Sequence, residues 1–167
     1  AEQLQTLVLV GQDMAGTRKV EEVLESITRE ALLLLDCRLS AFFIYDPKKD
    51  LLKLNSLQNE DGSIEYHETL KPSDSILGTA LRGHRQVQTR DLLRTEEHHF
   101  VSLIRERNLH SMLVTPVVYE DAPIGLLTLY VDRSHRFNDD ERLIARALSD
   151  LGAIAIQNAH LYARVFS

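Results

Sequence analysis

Cysteine is almost absent from this sequence. Cys37 is the single one among 167 residues, so no internal disulfide can form, which suits a reducing compartment. A basic surplus is absent as well. Nineteen Lys and Arg face twenty-five Asp and Glu, a formal net charge of −6 that argues against nucleic acid or an anionic membrane as the main partner. No uninterrupted apolar run exceeds five residues, as at Ala31–Leu35, so no segment spans a bilayer. No basic-then-apolar leader opens the chain, and a cytoplasmic location is expected. Internal repeats and low-complexity stretches are missing too.

The usual signatures of catalysis are equally scarce. The seven histidines show no metal-ligand spacing such as HxxxH on a helix, and the adjacent pair His98 and His99 diverge in any regular element. Gly78, Gly83 and Gly125 are too scattered to form a phosphate-cradling loop. Ser26, Ser40 and Ser111 lie in no nucleophile-elbow motif. No catalytic residue and no metal ligand is assigned. The lone Cys37 reads as an inert buried thiol.

What is present is ordinary globular composition, 44% hydrophobic and 26% charged, in a length that suits one domain. Leu4, Leu7, Gly11 and Met14 recur at helical spacing near the N-terminus. After Gly16-Thr17 a second helix carries Val20, Val23, Leu24, Ile27, Ala31, Leu34 and Leu35 on one stripe, with Glu21, Glu22, Glu25, Arg29 and Glu30 opposite. The period then changes to two. In "RLSAFFIYD", Leu39, Ala41, Phe43 and Tyr45 point one way and Phe42 and Ile44 the other; a strand apolar on both faces is covered on both sides. Turns at "DPKKD" and "NEDG" separate further strands around Leu52–Leu54 and Ile64–Leu70, giving a meander.

A short helix follows Pro72-Ser73-Asp74 and ends at Gly83. The strand "QVQT" then leads into a long, weakly periodic loop with a helical piece across residues 91–110. "SMLVTPVVY" and "IGLLTLYVD" form a hairpin around "EDAP". Asn138 with Glu141 three residues on, and Asp139 and Asp140 between, marks the start of a closing helix. With hairpins throughout and no strand-helix-strand repeat, the fold class is α+β with about six antiparallel strands.

Three stretches in this order resemble the GAF domain, a sensory module of signalling proteins: "SILGTALRGHRQVQTRDL", "HSMLVTPVVYEDAPIGLLTLY" and "HRFNDDERLIARALSDLGAIAIQNAHLY". The resemblance covers roughly Val20 to Tyr162. It implies a six-stranded antiparallel sheet with the N- and C-terminal helices on one face. A short helix and a lid loop, residues 91–110, would cover a small-ligand pocket on the other. Phe43, Tyr45, His110, Ser111, Thr115, Thr128 and Tyr130 are the candidate pocket residues, because a few polar groups on apolar strands make the usual small-molecule site.

Family members that hold a bilin attach it to a lid cysteine. This lid has His98 and His99 instead, so no covalent cofactor is expected. The family's methionine-sulfoxide reductases use several cysteines, which this chain lacks. The Asn-Lys and Phe-x-x-x-Asp-Glu pattern of cyclic-nucleotide binders is broken here, by Asp132-Arg133 and by the two-residue gap after Phe137. Some family members bind haem through a lid histidine; His110, then His99, would take that role. A haem- or metal-based gas or redox sensor is therefore one alternative to a small-ligand sensor, and a ligand-free dimerisation spacer is another.

The closing helix has two apolar stripes. Ile144, Leu148, Leu151, Ala155, Asn158, Tyr162 and Val165 form one, and Leu143, Ala147, Ile154 and Leu161 its neighbour. One stripe can cover the sheet while the other meets a partner helix, with Gly152, Ala153 and Ala159 allowing close approach and Asn158 fixing register. A homodimer is expected, joined by Leu4, Leu7 and Met14 of the first helix and by Leu151, Ile154, Asn158, Leu161, Tyr162 and Val165 of the last. The expected division is a connecting helix at 1–16, a sensory domain at 17–160 and the start of a continuing signalling helix at 161–167. That helix would lead to an output domain such as a histidine kinase of a two-component system, a cyclase, a phosphodiesterase or a transcription activator.

Overall fold

The computed structural model describes residues 17–72, 75–92 and 99–166, with side chains at those between 19 and 160. Helix α1 (Thr17–Leu34) presents Val23, Leu24, Ile27 and Ala31 to the interior and Glu21 and Glu22 to solvent, as its period requires. Its last turn departs from the expected stripe. Leu32 is buried in place of Leu34, which stands 58% exposed beside Leu33 at 66%. The chain then turns through Asp36, at a φ of 50°, into the sheet.

The sheet has seven strands: β1 (Leu39–Asp46), β2 (Leu51–Asn59), β3 (Gly62–Ser63), β4 (Thr69–Leu70), β5 (Val87–Thr89), β6 (Ser111–Tyr119) and β7 (Ala122–Val131). Their order is β3-β2-β1-β7-β6-β5, with β4 also paired to β2, and every pairing is antiparallel. β6 and β7 close through Glu120 and Asp121, both at positive φ (48° and 65°), the backbone of a hairpin turn whose twist matches its strands. The expected third strand at Ile64–Leu70 reduces to the two fragments β3 and β4. Between them Glu65, Tyr66 and His67 are exposed in succession, so the stretch presents no continuous buried face to fix a register.

β1 sits inside the sheet between β2 and β7 and is covered on both sides. Phe42 and Ile44 join the core under the helices; Leu39, Ala41, Phe43 and Tyr45 join the core on the far side. The helical layer is α1 with α4 (Asp139–Phe166). They run antiparallel, since Leu24 lies by Gly152 while Cys37, just past α1, feels the charge of Glu141. The far layer is α2 (Ile76–Gly83), α3 (Val101–Glu106) and the connections around them.

The caps explain where the helices begin. Ser75 accepts from the Gly78 N–H (3.3 Å) to open α2. At α4 the expected capping box is complete: Asn138 Oδ1 accepts from Glu141 N (2.8 Å) and Glu141 Oε1 accepts from Asn138 N (2.9 Å). Gly152 of α4 serves its own core rather than a partner. A Cβ there would lie 2.7 Å from Phe42 Cζ, so glycine lets the helix seat on the sheet. Leu151 packs on the same core, Ala153 is buried in it, and Asn158 is half-buried with its Nδ2 unbonded. The neighbouring stripe faces outward: Leu143 is 61% exposed, Ile154 is 38% exposed, and Ala147 is exposed between them. Leu4, Leu7 and Met14, and the side chains of Leu161, Tyr162 and Val165, lie outside the described residues.

Candidate functional site

Alternation along three strands decides which side chains reach the far face. β1 sends Phe43, β6 sends Met112 and Val114, and β7 sends Leu126, Thr128 and Tyr130. Leu77, Ala80 and Leu81 of α2 and Ile104 of α3 close over them. At the middle lies Phe100. Its ring stacks on Phe43 (5.7 Å between centroids) and meets Tyr66 edge-on (5.5 Å) and Tyr130 at 6.1 Å. Phe100 is buried, yet its backbone is left-handed, at a φ of 52° and ψ of 31°. A bulky side chain in that region is strained, and the packed ring offsets the strain.

A polar chain runs through this apolar layer. His99 Nε2 is 2.8 Å from the Tyr130 hydroxyl, and that hydroxyl donates to Thr128 Oγ1 at 3.0 Å. All three residues are buried. Beside them, Glu68 accepts from the Phe100 N–H, while its Oε2 is buried without a partner. Burial pushes the Glu68 carboxyl above its ordinary value, against the opposing pulls of His99 and the Phe100 N–H. The face thus combines aromatic walls with a hydroxyl pair, an imidazole and a carboxyl of unmet capacity, the make-up of a small-molecule site.

Of the sequence candidates, Phe43, Thr128 and Tyr130 meet on this face. Tyr45 lies at its rim, half-buried, its hydroxyl donating to Asp50 (2.8 Å), a bond that raises its pKa. His110 is half-buried just before β6, where its backbone bonds Val131 and Leu92. Ser111 and Thr115 do not join the group. They share the phase of Leu113 and Val117 and so face the helical layer. Ser111 Oγ donates to the Arg133 carbonyl (2.8 Å) and accepts from His135 N (2.9 Å), and Thr115 Oγ1 accepts from Gln86 (3.1 Å).

The position of His99 bears on haem. Its Nε2 is engaged with Tyr130, and Phe43, Phe100 and Leu77 fill the layer a porphyrin would need. These residues do not fit a haem in this arrangement. Among the described residues no group of three or more His, Cys, Asp and Glu could hold a metal ion. Cys37 is buried, and burial, aided by Glu141 and Asp36, pushes its thiol up to about 12, so it offers no thiolate at neutral pH.

His99, Phe100 and Glu68 are the contributors that pattern reading passed over or ranked low. The doublet His98-His99 was a visible signal. Glu68 gave none, since a lone Glu in "IEYHETL" reads as solvated.

The edge of the sheet is also tied to the start of α4. Gln88 Oε1 accepts from Phe137 N (2.8 Å) and Gln88 Nε2 donates back to the Phe137 carbonyl (3.3 Å). Gln86 Nε2 donates to the Arg142 carbonyl (2.8 Å) as well as to Thr115. Two amides thereby tie β5 and the residue just before it to Phe137, ahead of α4, and to Arg142 in its first turn.

Comparison with known proteins agrees with this architecture. A family model described as GAF domain matches residues 17–157. No curated protein matches the chain. Among solved structures, the GAF domain of a phosphoenolpyruvate-protein phosphotransferase from Coxiella burnetii superposes with a TM-score of 0.73 at 17% identity, over 98% of this chain and 95% of that one. The free methionine-R-sulfoxide reductase of Neisseria meningitidis, solved with its substrate, gives 0.72 at 16% identity over 95% and 88%. The blue-light-absorbing form of the Thermosynechococcus elongatus PixJ GAF domain gives 0.67 at 16% identity over 89% and 91%. At these identities the likeness is one of fold, and of these three structures one is of an enzyme and another of a blue-light-absorbing form. With the family model spanning most of its length, this chain belongs to the GAF domain family.

Proposed function

We propose that this domain is a non-enzymatic regulatory module that binds a small cytoplasmic ligand on the face holding Phe43, Thr128, Tyr130, His99 and Glu68. The observation that carries the reading is the His99–Tyr130–Thr128 chain, which ties the segment beside residues 93–98 to the sheet. A ligand entering this layer competes for those bonds and for the space of Phe100, so binding and displacement of that segment are one event. The Gln86 and Gln88 contacts then give the movement a route to α4.

The outward stripe of α4, Leu143, Ala147 and Ile154, together with Leu33 and Leu34 of α1, is the surface we assign to a second copy of the chain. Displacement of that segment shifts the paired helices, and the shift reaches an attached output domain. Coupling of about 1–3 kcal/mol is enough. No membrane or nucleic-acid contact is assigned to this domain; among the described residues no helix is long and apolar enough to cross a membrane.

The test combines thermal shift across a panel of small metabolites with hydrogen exchange. A binder should raise Tm and slow exchange at residues 99 and 100, and the His99→Ala variant should lose most of that shift. If residues 99 and 100 already exchange as slowly as β1 and no panel member moves Tm, the face is a closed core and the reading fails. Sedimentation of Leu161→Glu tests the helical contact. A shift toward monomer with unchanged circular dichroism supports it, and a monomeric wild type at micromolar concentration overturns it.

A further inference from the structure

A cavity lies away from the ligand face, in the angle between the sheet edge and α4. It is an open cleft of about 400 Å³. Arg142, Arg146 and Asp150 line it from one stripe of α4, and His84, Arg85 and Gln86 from the connection between α2 and β5. β5 pairs β6 only from Met112 to Val114, so the β6 edge beyond, at Pro116 and Val118, is left as the floor.

The charge here opposes that of the whole molecule. Three arginines and a histidine meet one aspartate, in a chain whose net charge is −6. A second groove of about 270 Å³ further along β5 adds Arg90 and Arg136. Such segregation sets up a local positive field that draws anions. Arg142 is the anchor. Its Nη2 holds Asp139 at the rim, while its buried Nε finds no acceptor. The side chain as a whole is 37% exposed and lines the cleft, so its guanidinium is within reach of an anion there.

We propose that this cleft is a binding site for a small phosphate-bearing anion, held by Arg142 and Arg146 of α4 and by Arg85. Arginine suits the class, because its planar fork of donors matches phosphate oxygens in pairs. The volume falls in the small-molecule range, and the acidity of the whole chain disfavours a long polyanion. The bound anion bridges the α2–β5 connection and α4 at the point where Gln86 already joins them, so the site acts on the junction through which the far face would also reach the closing helix.

The test is calorimetric titration of the 167-residue chain with inorganic pyrophosphate at low salt. Saturable binding of one anion per chain is expected, weakening as salt rises. Arg142→Gln combined with Arg146→Gln should weaken it about tenfold or more, with circular dichroism unchanged. Arg85→Gln lies on an exposed connection outside both helices; it should weaken binding too, and it serves if the double variant does not fold. Absence of saturable binding by wild type, or equal binding by a folded Arg85→Gln or double variant, overturns the proposal. Binding of a Glu-rich decapeptide with no response to pyrophosphate also overturns it, in favour of an acidic protein segment.

Discussion

Phe42 and Phe43 are chain neighbours, both wholly buried, on opposite sides of one strand. Phe42 lies under α4, a continuous helix of 28 residues seated against it through Gly152. Phe43 lies under helices of eight and six residues and the strained Phe100. Polarity is not what separates the two sides. The helical side also buries unpartnered hydroxyls, at Ser40 and Ser149. The difference is in the cover. One side is closed by long elements whose backbone bonds are internal, the other by short segments held down mainly by side chains. Short, side-chain-anchored segments open locally at lower free energy, which is what an entry route requires.

The comparison breaks most sharply at Phe42. Phe42→Ala should cost about 3–5 kcal/mol in urea unfolding, because a long helix cannot collapse into the gap. If it costs no more than a surface change, the helical layer is looser than described. Tyr130→Phe removes both hydroxyl bonds at the centre of the other face. It should cost about 1–3 kcal/mol and speed hydrogen exchange at residues 99 and 100 while leaving α4 unaffected. Equal acceleration in α4 would mean the two layers open together.

The faces of β1 were legible because aromatic and branched residues occupy both phases of a strand bounded by clear turns. The cap of α4 was legible because Asn138 and Glu141 are close in sequence and their bonds are local. Ser111 and Thr115 were not placeable. β6 is apolar in both phases, so alternation carries no marker of inside or outside, and only pairing with β7 sets the facing of its side chains. The His99–Tyr130 contact joins residues 31 apart and depends on the left-handed turn at Phe100, which no local pattern announces.

Two smaller effects sharpen the contrast. Asn138→Ala should cost about 1 kcal/mol, read as a lower urea midpoint with the ligand response intact, since the cap belongs to the helical layer. Glu68→Gln acts by pH. Burial raises the folded-state pKa of Glu68 above its ordinary value of 4.5. Its contribution is therefore fully present below that value and is lost as pH rises through the raised one. The neutral amide escapes that loss. The variant should match wild type at pH 4 and gain on it by pH 7 in urea midpoint; a constant difference across that range would refute the assignment.

The rims of the sheet carry a last consequence. β3 and β4 are two residues long and β5 three, and Pro116, with no N–H to give, stands where β6 runs on past its short neighbour. Long, flat, unpaired borders are templates for the endless strand addition that ends in fibres. Here each border is truncated or interrupted, and Arg85 and Arg146 place charge along one of them. Such a sheet is a poor seed for stacking, so strand addition should not be what limits the solubility of the domain at high concentration.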